Sequence, residues 1–322
     1  FWRTLYFLSK VTLITNCNQD RMLADKAFPK IARQLNYARE FIAPHIARVF
    51  IPSLPYEAFN SKECRVEPWN MLALFESCRA FTFWPMPHTS NPDEAWLDSN
   101  ALYRDNSFFI VGTTLKVDPE FNKFESPKFP LFVDSQLDYV GTSSKGILYS
   151  LFHQKRARPY LVCEIQDVLV NTKTRKPVPY PDWWKEKYAN LCKGKQTNPI
   201  LASVRPIERC LVTNYVKVTV RDTDTYNHTN WTSYVRFCYD ALHDNVFESR
   251  YNRPLTPLIT GGLKHLSASF KKESLAGDIL AVESWENPEA EDSVEFEVKK
   301  NGELCCHLTM SFFNVKDPES KI

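Results

Sequence analysis

A polar run at residues 221–231, RDTDTYNHTNW, joins a strand pattern directly to a helix pattern. Before it, residues 212–220 read VTNYVKVTV, alternating and β-branched as a half-buried strand should be. After it, Tyr234, Phe237, Cys238, Ala241 and Leu242 recur at helical spacing, so one face of that helix is apolar. The side-chain period thus changes from about 2 to about 3.6 across one loop, which commits the chain to mixed α and β structure. The loop itself gathers Asp222, Asp224, His228, Asn227 and Asn230. Free N–H groups at a helix start can polarise a carbonyl there, so the junction suits chemistry on an acyl group.

The pattern Asp222-x-Asp224-x-x-x-His228-x-Asn230, followed by a helix with Tyr234 near its start, resembles the signature of hotdog-fold acyl thioesterases. It is most similar to the acyl-carrier-protein and 4-hydroxybenzoyl-CoA thioesterase types. The likeness continues in residues 263–280, LKHLSASFKKESLAGDIL, as a strand, a charged turn and a Gly277-Asp278 lead into the next strand. Asn301-Gly302, between runs 293–299 and 304–313, is a two-residue hairpin signal of the I′ kind. Strand, helix and consecutive antiparallel strands are the order that fold requires.

At 322 residues, two domains of roughly 100–150 residues are expected. Hydrophobic residues at 43% and charged residues at 24% are ordinary for a globular chain. A net charge of +2 gives no electrostatic case for nucleic acid. With 8 glycines and no phosphate-cradling glycine motif, nucleotide chemistry has no support. Nine cysteines without C-x-x-C or Cys/His ligand spacing point to free thiols in a reducing compartment, with no metal and no cofactor. Asn227 and Asn230 each head a glycosylation sequon, which keeps secretion as the alternative to a cytoplasmic or peroxisomal location. Ser320-Lys321-Ile322 is similar to a peroxisomal tripeptide, although a polar tail is the plainer reading. The chain begins with Phe1, consistent with removal of an upstream segment, and no run approaches the ~20 apolar residues of a membrane span.

Residues 1–44 form a lead-in in which Phe28, Ile31, Ala32, Leu35, Ala38 and Phe41 suggest a helix. A first repeat over 45–181 offers a strand in 47–59 and a helix with the stripe Met71, Leu74, Phe75, Cys78 and Phe81. Strand patterns follow at 107–117, 129–140, 146–153 and 160–170. Residues 182–206 form a linker holding a short helical stretch at 183–191; a second repeat spans 207–315 and a tail 316–322. The repeat is inferred from matching element order, since the halves share no strong identity. The resemblance implies a double hotdog of class α+β, each long helix wrapped by an antiparallel sheet, with the sheets joined edge to edge. It also implies a homodimer.

By that resemblance the catalytic aspartate falls on Asp224, the histidine on His228 and a downstream glutamate on Glu273. Asp222, Tyr226, Asn227, Asn230 and Trp231 fall on substrate-facing or structural motif positions, Asp222 and Asn230 among them as helix caps. The plant enzymes carry asparagine where this chain has Tyr226, and the second asparagine of a pair where it has Trp231. The first half carries no such motif; Glu76 is expected to be a structural glutamate and that half catalytically silent. Aromatics at 14% should mostly be core, and a surplus could also line a long apolar acyl tunnel between helix and sheet. The expectation is an acyl thioester hydrolase of lipid metabolism, acting on acyl-CoA or acyl-carrier adducts. The alternative is a non-catalytic carrier of a fatty acid, retinoid or carotenoid.

Overall fold

The computed structural model describes residues 37–60, 64–84, 95–192, 194 and 211–314. Within them the alternating segments form one antiparallel sheet of eleven strands. The first half supplies β1 (Ala38–Ala43), β2 (Ile46–Ile51), β3 (Asn106–Val117), β4 (Leu131–Val140), β5 (Ser144–His153) and β6 (Leu161–Asn171). The second supplies β7 (Val212–Lys217), β8 (Leu263–Phe270), β9 (Ile279–Glu286), β10 (Ser293–Lys300) and β11 (Glu303–Phe312). Their order across the sheet is β1-β2-β4-β5-β6-β3-β8-β11-β10-β9-β7, so the halves meet at β3 and β8. That seam is a hydrogen-bonded ladder in which Gly112 pairs with Ser269, Leu115 with Leu266 and Lys116 with His265. It is the edge-to-edge join that the resemblance implied.

Two long helices lie against the sheet. Helix α1 (Pro68–Phe83) opens with proline in its first turn, where a missing N–H costs nothing. Its stripe Met71, Leu74, Phe75, Cys78 and Phe81 is buried, as the spacing predicts. Helix α2 (Trp231–Phe247) is capped by Asn230, whose Oδ1 accepts the Thr232 N–H at 2.9 Å. Tyr234, Phe237, Cys238, Ala241 and Leu242 are all buried. The helices pack on one another, with Trp69 meeting Tyr239 edge-on at 5.6 Å. At the β10–β11 turn, Asn301 and Gly302 have φ of 50° and 81°, the two positive values a I′ hairpin needs.

Three expectations are corrected. Ala38 and Phe41, read as part of a helix, lie in β1, which pairs with β2 from Ala38–Phe50 onward; the rest of that helix reading falls outside the described residues. The partnership with a sheet edge outweighs a helical spacing that only two residues here sustain. The strand expected over 47–59 ends at Ile51, and residues 56–58 form a single 3₁₀ turn. Pro52 and Pro55 cannot donate to a ladder, which accounts for the stop. The helical stretch expected in the linker exists as a helix at Asp182–Tyr188, but it belongs to the first half's core. Trp184 is fully buried, stacks on Tyr180 at 4.4 Å and donates its indole N–H to the Leu97 carbonyl at 2.7 Å.

One feature of the first half is costly. Lys145 and Asp167 are paired at 2.5 and 2.7 Å and are 0% and 1% exposed. The ammonium also lies 3.5 Å over the Phe108 ring. Burial pushes the Lys145 pKa down to about 8 against the attraction of Asp167.

Candidate active site

The polar loop is held by its own side chains before it holds anything else. Asp222 Oδ2 accepts from the Thr219 amide at 2.8 Å and the Thr219 hydroxyl at 2.6 Å, closing a capping box. Its other oxygen pairs with Arg236 on α2. Burial would raise this carboxyl, but the Thr219 donors and the Arg236 guanidinium outweigh it and hold the pKa low. Asp222 is therefore a structural cap and does not line the cavity described below. Asp224 Oδ1 accepts the amides of Tyr226 (2.8 Å) and His228 (3.1 Å), an Asx turn that bends the chain back on itself. Asn227 takes the bend with φ of 62°, a left-handed conformation that asparagine tolerates.

The loop is then stitched to the segment between β8 and β9. The Thr229 amide donates to the Ser274 carbonyl at 2.7 Å. The Thr229 and Ser274 hydroxyls lie 2.6 Å apart, and the Tyr234 hydroxyl joins Ser274 at 2.8 Å. All three residues are buried. His228 and Glu273 each precede one of these anchors, so fixing Thr229 to Ser274 sets their registers against one another. The result is His228 Nε2 at 3.3 Å from Glu273 Oε2.

These residues border a cavity of about 250 Å³ between the halves. Asp224, Tyr226, His228, Asn230, Trp231 and Glu273 line it, together with residues 107–111 of β3 and Phe270. Part of Asp224 is open to solvent, yet the cavity walls desolvate its carboxyl and push the pKa up, opposed by His228 and the two amides. Of the helix-start amides at 230–232, those of Asn230 and Thr232 are taken by Asp222 O and Asn230 Oδ1. The Trp231 N–H takes no acceptor among the described residues. It is the first amide of a 17-residue helix, where the dipole adds to its pull on a negative oxygen.

The first half enters this cavity too. Glu76 of α1 accepts the Trp231 indole N–H at 3.0 Å and is paired twice with Arg79, at 2.8 and 2.9 Å. It was expected to be structural, and it is ion-paired, but in the wall of the site rather than in solvent. Burial works against the Arg79 charge; Glu76 restores it and holds the guanidinium pKa above its ordinary value. Phe108 and Phe109 line the same space, so part of the aromatic surplus serves the cavity and not only the core. Ser107, buried beside them, leaves its hydroxyl without a partner among the described residues.

The structure thus gathers Asp224, His228, Glu273, Tyr226, Asn230 and Trp231 at one cavity. Asp222 and Asn227 stand outside its lining, because one is consumed as a cap and the other points its left-handed turn outward. The sequence reading missed the Ser274 and Thr229 anchors and the β3 wall. The wall carried one local signal: Gly112 inside a strand marks a register shift between Ile110 and Gly112, and the bulge turns Val111 toward the cavity. Among the described residues no group of three His, Cys, Asp or Glu side chains is arranged to hold a metal ion, and no helix is long and apolar enough to cross a membrane.

No family model matches this sequence, and no curated protein matches it either. Solved structures do. An acyl-ACP thioesterase from Bacteroides thetaiotaomicron superposes with a TM-score of 0.58 at 16% identity, over 83% of this chain and 98% of that one. The 12:0-ACP thioesterase from Umbellularia californica gives 0.61 at 12% identity, over 85% and 99%. Identity this low speaks to architecture alone. This chain has the fold of the hotdog thioesterases in its double-hotdog arrangement.

Proposed function

We propose that the protein hydrolyses acyl thioesters, of coenzyme A or of an acyl carrier, at the cavity between its halves. The observation that carries this reading is the His228–Glu273 pair, 3.3 Å apart, beside an uncommitted helix-start amide at Trp231. Asp224 Oδ1 is spent on its loop, which leaves Oδ2 to accept a hydrogen bond from the attacking water and orient it. His228, supported by Glu273, receives the proton as water oxygen bonds to the thioester carbon. The carbonyl oxygen, now negative, is received at the Trp231 N–H. Collapse breaks the C–S bond, and the leaving thiolate takes the proton back from His228, giving a carboxylic acid and a free thiol. A cavity of about 250 Å³ with Glu76 and Arg79 in its wall favours a compact acyl group over a long saturated chain. A place in lipid metabolism and a two-copy assembly are part of the same proposal.

The carrier reading draws on Tyr226 and Trp231, which fill positions where the plant enzymes have asparagines. The small cavity favours it less, because a retinoid or carotenoid needs more room. The test is turnover of acyl-CoA by Asp224→Asn and Glu273→Gln variants. Each should lower kcat about 10²-fold or more with the fold retained. Full activity in both would remove the proposed mechanism, and a lipid recovered by solvent extraction from an inactive parent would favour the carrier.

A further inference from the structure

Glu273 is held from two sides, and the second holder comes from the other half of the chain. Its Oε2 faces His228 Nε2 at 3.3 Å, while its Oε1 is bound by the Arg175 guanidinium. The two residues are 98 positions apart. Arg175 lies in the turn after β6, with φ of 58°. A non-glycine residue adopts that conformation uncommonly, and it is held here by local hydrogen bonds. Here the Arg175 amide donates to Asn171 O at 2.9 Å, and Asn171 Oδ1 accepts the amides of Lys173 (3.1 Å) and Thr174 (2.9 Å). Thr172 adds two bonds to the Asp105 carbonyl, both 3.0 Å. The guanidinium also lies 5.0 Å over the Phe109 ring, whose centroid is 6.2 Å from that of His228. Arginine, phenylalanine, histidine and glutamate therefore form a closed ring across the domain seam.

We propose that Arg175 is a positioning residue for the Glu273–His228 pair, so that the first domain completes the second domain's site. This rests on the thioesterase reading for its purpose, but not for its geometry. Stability gives the contact little reason to exist, since both side chains are substantially exposed, at 45% and 40%, and such pairs contribute little to folding. What the contact does is divide one carboxylate: Arg175 takes one oxygen and turns the other toward the imidazole. Without it, Glu273 is a half-exposed side chain on a turn, free to leave His228.

The test compares Arg175→Ala, Arg175→Lys and Glu273→Gln in the full chain, by two readouts. In acyl-CoA hydrolysis, Arg175→Ala should lower kcat by roughly 10- to 100-fold with KM within about twofold, and lysine should restore part of the loss. In NMR of histidine-labelled protein, the His228 ring nitrogen shifts of Arg175→Ala should move to those of Glu273→Gln. Parent-like kcat, or His228 shifts unchanged from the parent while Glu273→Gln changes them, would overturn the proposal. If the parent itself hydrolyses nothing, the thioesterase reading fails, and the NMR comparison alone still decides whether Arg175 places Glu273.

Discussion

Asp222 and Asp224 stand two residues apart and share a side-chain type, yet only one borders the cavity. The resemblance separated them, giving catalysis to Asp224 and a cap to Asp222. What spacing alone could not supply is Arg236 on the helix, which with Thr219 consumes Asp222, while among the described residues the hydrogen bonds to Asp224 come from local amides. Glu76 was illegible for the same reason, since its indole partner lies 155 positions away. The buried Lys145–Asp167 pair shows the energetic side of such long-range dependence. Asp167→Asn leaves an unpaired buried ammonium and should cost about 3–5 kcal/mol in denaturant unfolding; a loss under ~1 kcal/mol would show the charge is not truly desolvated. The sign of the pH dependence follows from the same group. With Lys145 near 8 in the native state and at the ordinary 10.5 when unfolded, the unfolded chain binds more protons between those values. Stability through Lys145 therefore rises with pH across that window.

Elements whose period is set by burial on one side were the most legible. The α1 and α2 stripes, the Asn301-Gly302 turn and strands β3 to β6 lie where alternation and turn residues put them. Elements whose identity depends on a neighbour were not. Strand β1 is a strand because β2 offers it an edge, and the helix at Asp182–Tyr188 is core because Trp184 finds Tyr180. The loop between β7 and α2 is intermediate: its chemistry was legible, its anchors were not. Asp222→Ala removes the capping box and the Arg236 pair together, and should cost roughly 1–3 kcal/mol. Hydrogen exchange should then rise in residues 219–230 while β10 and β11 stay protected. Uniform exchange across the chain would mean that this loop is part of the global folding unit instead.

At the scale of the whole molecule, the sheet and the site share one seam. β3 and β8 carry the ladder that makes eleven strands continuous, and the cavity opens beside that ladder. The second domain brings Asp224, His228, Glu273 and the Trp231 amide; the first brings Glu76, Phe109 and Arg175. In the proposed mechanism, a first half without a motif of its own serves as wall and brace for the other's loop. Element order made the tandem arrangement readable from sequence, but no spacing within either half could reveal which first-domain residues cross the seam. What the cavity does to a thioester is the decisive property. Free-thiol release should be followed with acetyl-, hexanoyl-, benzoyl- and palmitoyl-CoA, using the parent and His228→Ala. Release by the parent, strongest for the compact acyl groups and reduced about 10²-fold or more in a folded His228→Ala, is the expected result. Release that His228→Ala leaves undiminished, or none from any substrate, would contradict the assignment of this cavity as a thioesterase site.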